Sequence, residues 1–85
     1  MTFKDWLIKF IDETELDREH IFEIEHGGAV RFMEFEVLVG SIIALPAEHQ
    51  LKIKNRLVAL DSENGDVMYY LNYVAEGLVK YKVER

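Results

Sequence analysis

From Phe32 to Leu45 the chain reads FMEFEVLVGSIIAL, and its apolar positions recur with a helical period. At about 100° per residue, Phe32, Phe35, Leu38, Val39, Ile42, Ile43 and Leu45 share one side. Glu34, Glu36, Gly40 and Ser41 share the other, joined by Met33, Val37 and Ala44. A strand competes over the first half, because Phe35, Val37 and Val39 alternate with Glu34 and Glu36. Beyond Gly40 two adjacent isoleucines break that alternation while the helical spacing continues. The pattern predicts an amphipathic helix whose wide apolar stripe needs several partners, which makes it the central helix.

The flanking segments supply those partners. Phe3, Trp6, Leu7, Phe10 and Ile11 follow i, i+3, i+4, i+7 and i+8, with Thr2 placed as N-cap and Asp5 three residues on. That is a helix of about three turns with aromatic core anchors. Asp12 to Glu19 is polar and aperiodic, a connecting loop in which Leu16 is expected to tuck inward.

Ile21 to Phe32 reads as a β-hairpin around Gly27-Gly28. A three-residue loop, His26-Gly27-Gly28, would pair Ile24 with Val30, Phe22 with Phe32 and Glu23 with Arg31. Apolar residues then share one face and a charge pair the other, so this register is preferred to a two-residue loop. Such a hairpin is marginal alone and must lie on helices.

The central helix is expected to end at Leu45, before Pro46, and Pro46 to begin a helix running to Leu60. There Leu51, Ile53, Leu57, Val58 and Leu60 are placed inward. Asp61 to Asp66, DSENGD, is a turn, and Asp66 caps a last helix from Val67 to about Val83. Val67, Tyr70, Leu71, Val74, Leu78 and Tyr81 make its inner stripe, and Lys80, Lys82 and Arg85 suit its C-terminal dipole. The fold class is α+β, one small domain over residues 1–85 in the order α-β-β-α-α-α.

Charge changes this picture. Residues 1–40 hold ten acids against four bases, and residues 41–85 hold six of each, for a net charge of −6. An acidic half disfavours a direct grip on nucleic acid phosphates. Lys52, Lys54 and Arg56 are the one local basic cluster, and only Lys52 and Arg56 share a helix face. With no cysteine, neither disulfides nor zinc thiolates can staple the chain. No apolar run approaches the ~20 residues a bilayer requires. The N-terminus lacks a signal peptide's pattern, so a cytoplasmic location is expected.

Candidate chemistry is sparse. Ser41 sits in VGSII, mid-helix, where it serves as a small packing residue rather than a nucleophile. His20, His26 and His49 show no metal-ligand spacing, so no metal is expected. DSENGD fails as a calcium loop, because Leu60 and Leu71 would occupy the first and twelfth positions. Gly27-Gly28 lacks the Lys and Ser/Thr of a phosphate loop. Paired carboxylates such as Glu23/Glu25 and Glu34/Glu36 are solvated acids without an enclosing cleft. No cofactor and no enzymatic activity are expected.

Two features remain. Nine acids lie between Asp12 and Glu36, against Arg18 and Arg31. Tyr69 and Tyr73 lie four apart at the edge of the last helix's inner stripe, beside Met68. The sequence therefore predicts a non-catalytic protein-binding module whose acidic half docks on a basic surface of a larger protein. Asp17, Glu19, Glu23, Glu25, Glu34, Glu36, Tyr69 and Tyr73 are its expected contact residues. By analogy of size and charge, an inhibitor of a nucleic-acid-binding enzyme, of the phage or mobile-element anti-defence type, would look like this. The alternatives are a homodimer or assembly subunit joined by apolar helix surface and, more weakly, a small helical DNA-binding regulator.

Overall fold

The computed structural model describes residues 1–14 and 19–84, with side chains described as far as Lys80. The order is α1 (Phe3–Glu13), β1 (Ile21–His26), β2 (Ala29–Glu34), α2 (Phe35–Ile43), α3 (Ala47–Ser62) and α4 (Val67–Glu84). It is the expected α-β-β-α-α-α arrangement, with the two strands paired antiparallel. Leu16 and Asp17 lie outside the described residues.

The helix ends obey their local chemistry. The Asp5 backbone N–H donates to the Thr2 hydroxyl at 3.1 Å, closing α1. The Tyr69 N–H donates to the Asp66 carboxylate at 2.9 Å, closing α4. At the end of α3 the Gly65 N–H reaches the Leu60 carbonyl at 2.7 Å and the Asn64 N–H reaches that of Asp61 at 3.3 Å. With Asn64 at φ 54° this is a Schellman ending, which runs α3 two residues beyond the expected Leu60. Pro46 stands just before α3 as its N-cap. The Gln50 side-chain amide donates to the carbonyls of Ile43 at 2.7 Å and Leu45 at 3.0 Å. One side chain thus fills orphan acceptors at the end of α2 and fixes the α2–α3 corner.

A single core joins these elements. Leu7 and Ile11 of α1, Phe22 and Ile24 of β1, Met33 of β2, Leu38 and Ile42 of α2, Leu57 of α3 and Leu71 and Ala75 of α4 are buried in it. α4 packs on β1 and α1 on α2. The rings of Phe3, Trp6 and Phe10 stack along α1, and the Lys54 ammonium lies 5.2 Å from the Trp6 ring centre. Among the described residues no polar or charged side chain is buried.

Three expectations are corrected. The hairpin turns on two residues, Gly27 and Gly28, both at positive φ (61° and 79°), the conformation a type I′ turn demands. Phe22 therefore faces Met33, Ile24 faces Arg31 and Glu23 faces Phe32. The expected pairs Phe22/Phe32, Ile24/Val30 and Glu23/Arg31 do not form. The physical reason lies downstream, because β2 runs straight into α2. Its parity is set by Phe35, which is buried at the head of the Leu38/Val39/Ile42 face. The Phe35 N–H donates to the His20 carbonyl at 3.0 Å, continuing the ladder. Since alternate strand residues share a face, Phe35 inward brings Met33 inward and turns Phe32 out.

The central helix accordingly starts at Phe35 and not at Phe32; Phe32, Met33 and Glu34 belong to β2. In α3 only Ile53 and Leu57 are buried, while the expected core residues Leu51 and Val58 are exposed. They are offset from the Ile53/Leu57 line by the helical period, so a helix with neighbours on few sides leaves them at the surface.

Candidate functional site

The corrected register creates the most distinctive surface of the molecule. Odd-numbered β1 residues and even-numbered β2 residues project away from α4. That outer face carries Ile21, Glu23 and Glu25 from β1 opposite Glu34, Phe32 and Val30 from β2. All six side chains are exposed, Phe32 to 70 % of its surface. Two strands at about 4.8 Å spacing hold this set in one plane. Three carboxylates thus surround a strip of three apolar groups. Among the described residues no base shares the face, because Arg31 projects on the opposite side with Ile24.

The expected contact residues do not all converge. Glu23, Glu25 and Glu34 are brought together. Glu19 is exposed just ahead of β1. Glu36 lies on α2, lining a shallow groove of about 270 Å³ with Lys4, Ile8 and Val39 between α1 and α2. Tyr69 and Tyr73 are exposed to 76 % and 66 % on α4. Tyr73 lines an open groove of about 450 Å³ between α3 and α4, with Lys52, Ile53, Val74 and Leu78. This surface is separate from the outer hairpin face, since α4 lies on the hairpin's inner side. Sequence reasoning placed Val30 and Phe32 on the core face, whereas both are exposed. The signal that could have found them is the parity of Met33 with Phe35.

The basic residues of α3 divide between neighbours. Lys54 is half-buried over Trp6 of α1. Lys52 lines the α3–α4 groove, and Arg56 lies close enough to Tyr70 to oppose its proton retention. Burial is the larger influence on Tyr70 and raises its pKa, Arg56 lowers it in part, and Tyr73, stacked at 6.3 Å, raises it again. Among the described residues no three His, Asp or Glu side chains come together as a metal site, and no helix is long and apolar enough to cross a membrane.

No family model matches the chain, and neither a curated protein nor a solved structure matches it.

Proposed function

We propose that the protein is a non-catalytic binding module whose outer hairpin face docks on a basic surface of a larger protein. One observation carries this reading: the hairpin register gathers Glu23, Glu25 and Glu34 around exposed Val30 and Phe32 on one side. Acids alone serve solubility, whereas an exposed aromatic ringed by like charges offers both an apolar anchor and a steering field. Arginine fits such a face best, since its guanidinium pairs with carboxylates while its plane stacks on an aromatic ring. Basic surfaces of that kind line the channels of nucleic-acid-binding enzymes, where a docked acidic domain would stand in for phosphates and inhibit. The test is affinity enrichment at low and high salt with the wild-type chain and E23K/E25K/E34K as baits. Partners bound through this face are basic, lost at high salt and lost with the reversed bait. A partner retained equally by both baits removes the reading.

A second reading rests on the exposure of Tyr69 and Tyr73 on α4 and of Leu51 and Val58 on α3. Apolar surface of this kind would join two copies, and the association would be insensitive to salt. Light scattering across concentration at two ionic strengths separates this reading from the first.

A further inference from the structure

We infer that the partner is engaged as an added strand: an extended segment with alternating basic residues pairs along the free edge of β2. This inference rests on the docking reading above and specifies how the same face is used.

The ladder establishes the edge. The pairs His26/Ala29, Ile24/Arg31 and Phe22/Met33 flank a two-residue turn, and the Phe35–His20 bond continues their set. In such a hairpin these residues exchange hydrogen bonds, so the N–H and C=O groups of Val30 and Phe32 and the N–H of Glu34 turn to the other side of the strand. The sheet has only β1 and β2, so among the described residues no third strand pairs with Val30 or Phe32, while the Glu34 carbonyl, at the N-cap of α2, turns into the helix. Access is open as well. Ala29, Val30, Arg31 and Phe32 are all exposed, so this part of β2 is free on both faces, whereas Phe22 and Ile24 of β1 are buried. Natural edges are usually blunted by proline, bulges or several charges. Ala29–Phe32 has no proline, pairs without a bulge and carries only Arg31.

The two faces of β2 differ in sign, and this selects the occupant. On the outer face Glu34 is in β2 itself, and Glu23 and Glu25 lie one strand further, about 10 Å from an added strand at normal spacing. Long basic side chains span that distance across Phe32 and Val30. On the inner side Arg31 repels bases and leaves room for apolar residues beside Ala29. The segment therefore alternates, with bases outward and apolar side chains inward. A second copy fits poorly, because pairing β2 with β2 would put both sets of Glu23, Glu25 and Glu34 on one continuous face with no base among the described residues.

The test uses the whole chain, isotope-labelled, and two synthetic peptides of about nine residues. One alternates Arg and Val; the other has the same composition with its arginines contiguous. Binding of the alternating peptide is expected to slow amide exchange at Val30, Phe32 and Glu34, and the contiguous peptide to bind more weakly. Val30→Pro removes an N–H that the hairpin ladder does not use. It should weaken binding by about tenfold beyond what Val30→Ala costs, the scale of one lost hydrogen bond, since alanine trims the same side chain and keeps the N–H. Failure of the alternating peptide to bind overturns the inference. So does binding that leaves the three amides unprotected, or protection that grows with protein concentration alone, which would assign the edge to a second copy. The exchange measurement on wild type stands even if the proline variant unfolds. If the three amides stay unprotected while E23K/E25K/E34K still abolishes binding, strand addition fails and face docking survives. If the reversed variant binds the peptide as wild type does, the docking reading itself falls.

Discussion

Phe22 and Phe32 sit on neighbouring strands and differ thirty-five-fold in exposure, 2 % against 70 %. Truncating a buried phenylalanine to alanine costs about 3–5 kcal/mol, through lost transfer energy and the cavity left behind. Phe22→Ala should fall in that range, because Phe22 lies under α4 within the single core. Full burial of such a side chain contributes about 1.5–3 kcal/mol. With 70 % of Phe32 in solvent, the corresponding loss for Phe32→Ser is about 0.5–1 kcal/mol. Lower strand preference adds a few tenths of a kcal/mol. An 85-residue chain has roughly 4–13 kcal/mol in total, so Phe22→Leu, expected to cost about 1–1.5 kcal/mol, covers the case in which Phe22→Ala does not fold. Urea unfolding with an unchanged slope reads all three. The reasoning is refuted if Phe32→Ser costs about 3 kcal/mol or more, since that would return Phe32 to the core beside Phe22.

Further outcomes follow from single contacts. Gln50→Leu strands the Ile43 and Leu45 carbonyls that the amide now bonds, and should lower stability by about 1–3 kcal/mol in the same urea assay. Gly40→Ala should raise it by about 0.5–1 kcal/mol, because a methyl group there meets nothing within 4 Å; a lowered unfolding midpoint would contradict this. Tyr70 holds its proton more tightly when folded. Its contribution is fully present below the unfolded tyrosine pKa of about 10 and is lost as pH rises through the raised folded value. Alkaline unfolding curves should therefore be flatter for Tyr70→Phe than for wild type, and identical slopes would remove the assignment.

Much of the fold was legible because helical periodicity is redundant. Phe3, Trp6, Leu7, Phe10 and Ile11 repeat one message, and so do Leu71, Val74 and Leu78. Caps at Thr2 and Asp66 added local hydrogen-bond chemistry that does not depend on distant partners. The hairpin register was less legible because both parities of β2 offer apolar residues. Val30 and Phe32 are the more hydrophobic pair, yet Met33 goes inward because Phe35 must. That constraint belongs to the packing of α2 and leaves no mark on the strand itself. The candidate site inherited the same blind spot. Its acids could be named from sequence, but Val30 and Phe32 were assigned to the core. Tyr69 and Tyr73 were placed at the edge of the inner stripe of α4 with their exposure left open, and both are exposed; their separation from the acids required the sheet to be set on α4.

The most direct test of the proposed docking surface is a map of amide shifts when the labelled chain is titrated with its basic partner, or with the alternating Arg/Val peptide. The account predicts changes centred on Ile21, Glu23, Glu25, Val30, Phe32 and Glu34, fading as salt is raised, with α3 and the Tyr69–Tyr73 surface quiet. Shifts centred on Tyr69 and Tyr73, or on Lys52 and Arg56, with the outer hairpin face unmoved would contradict it.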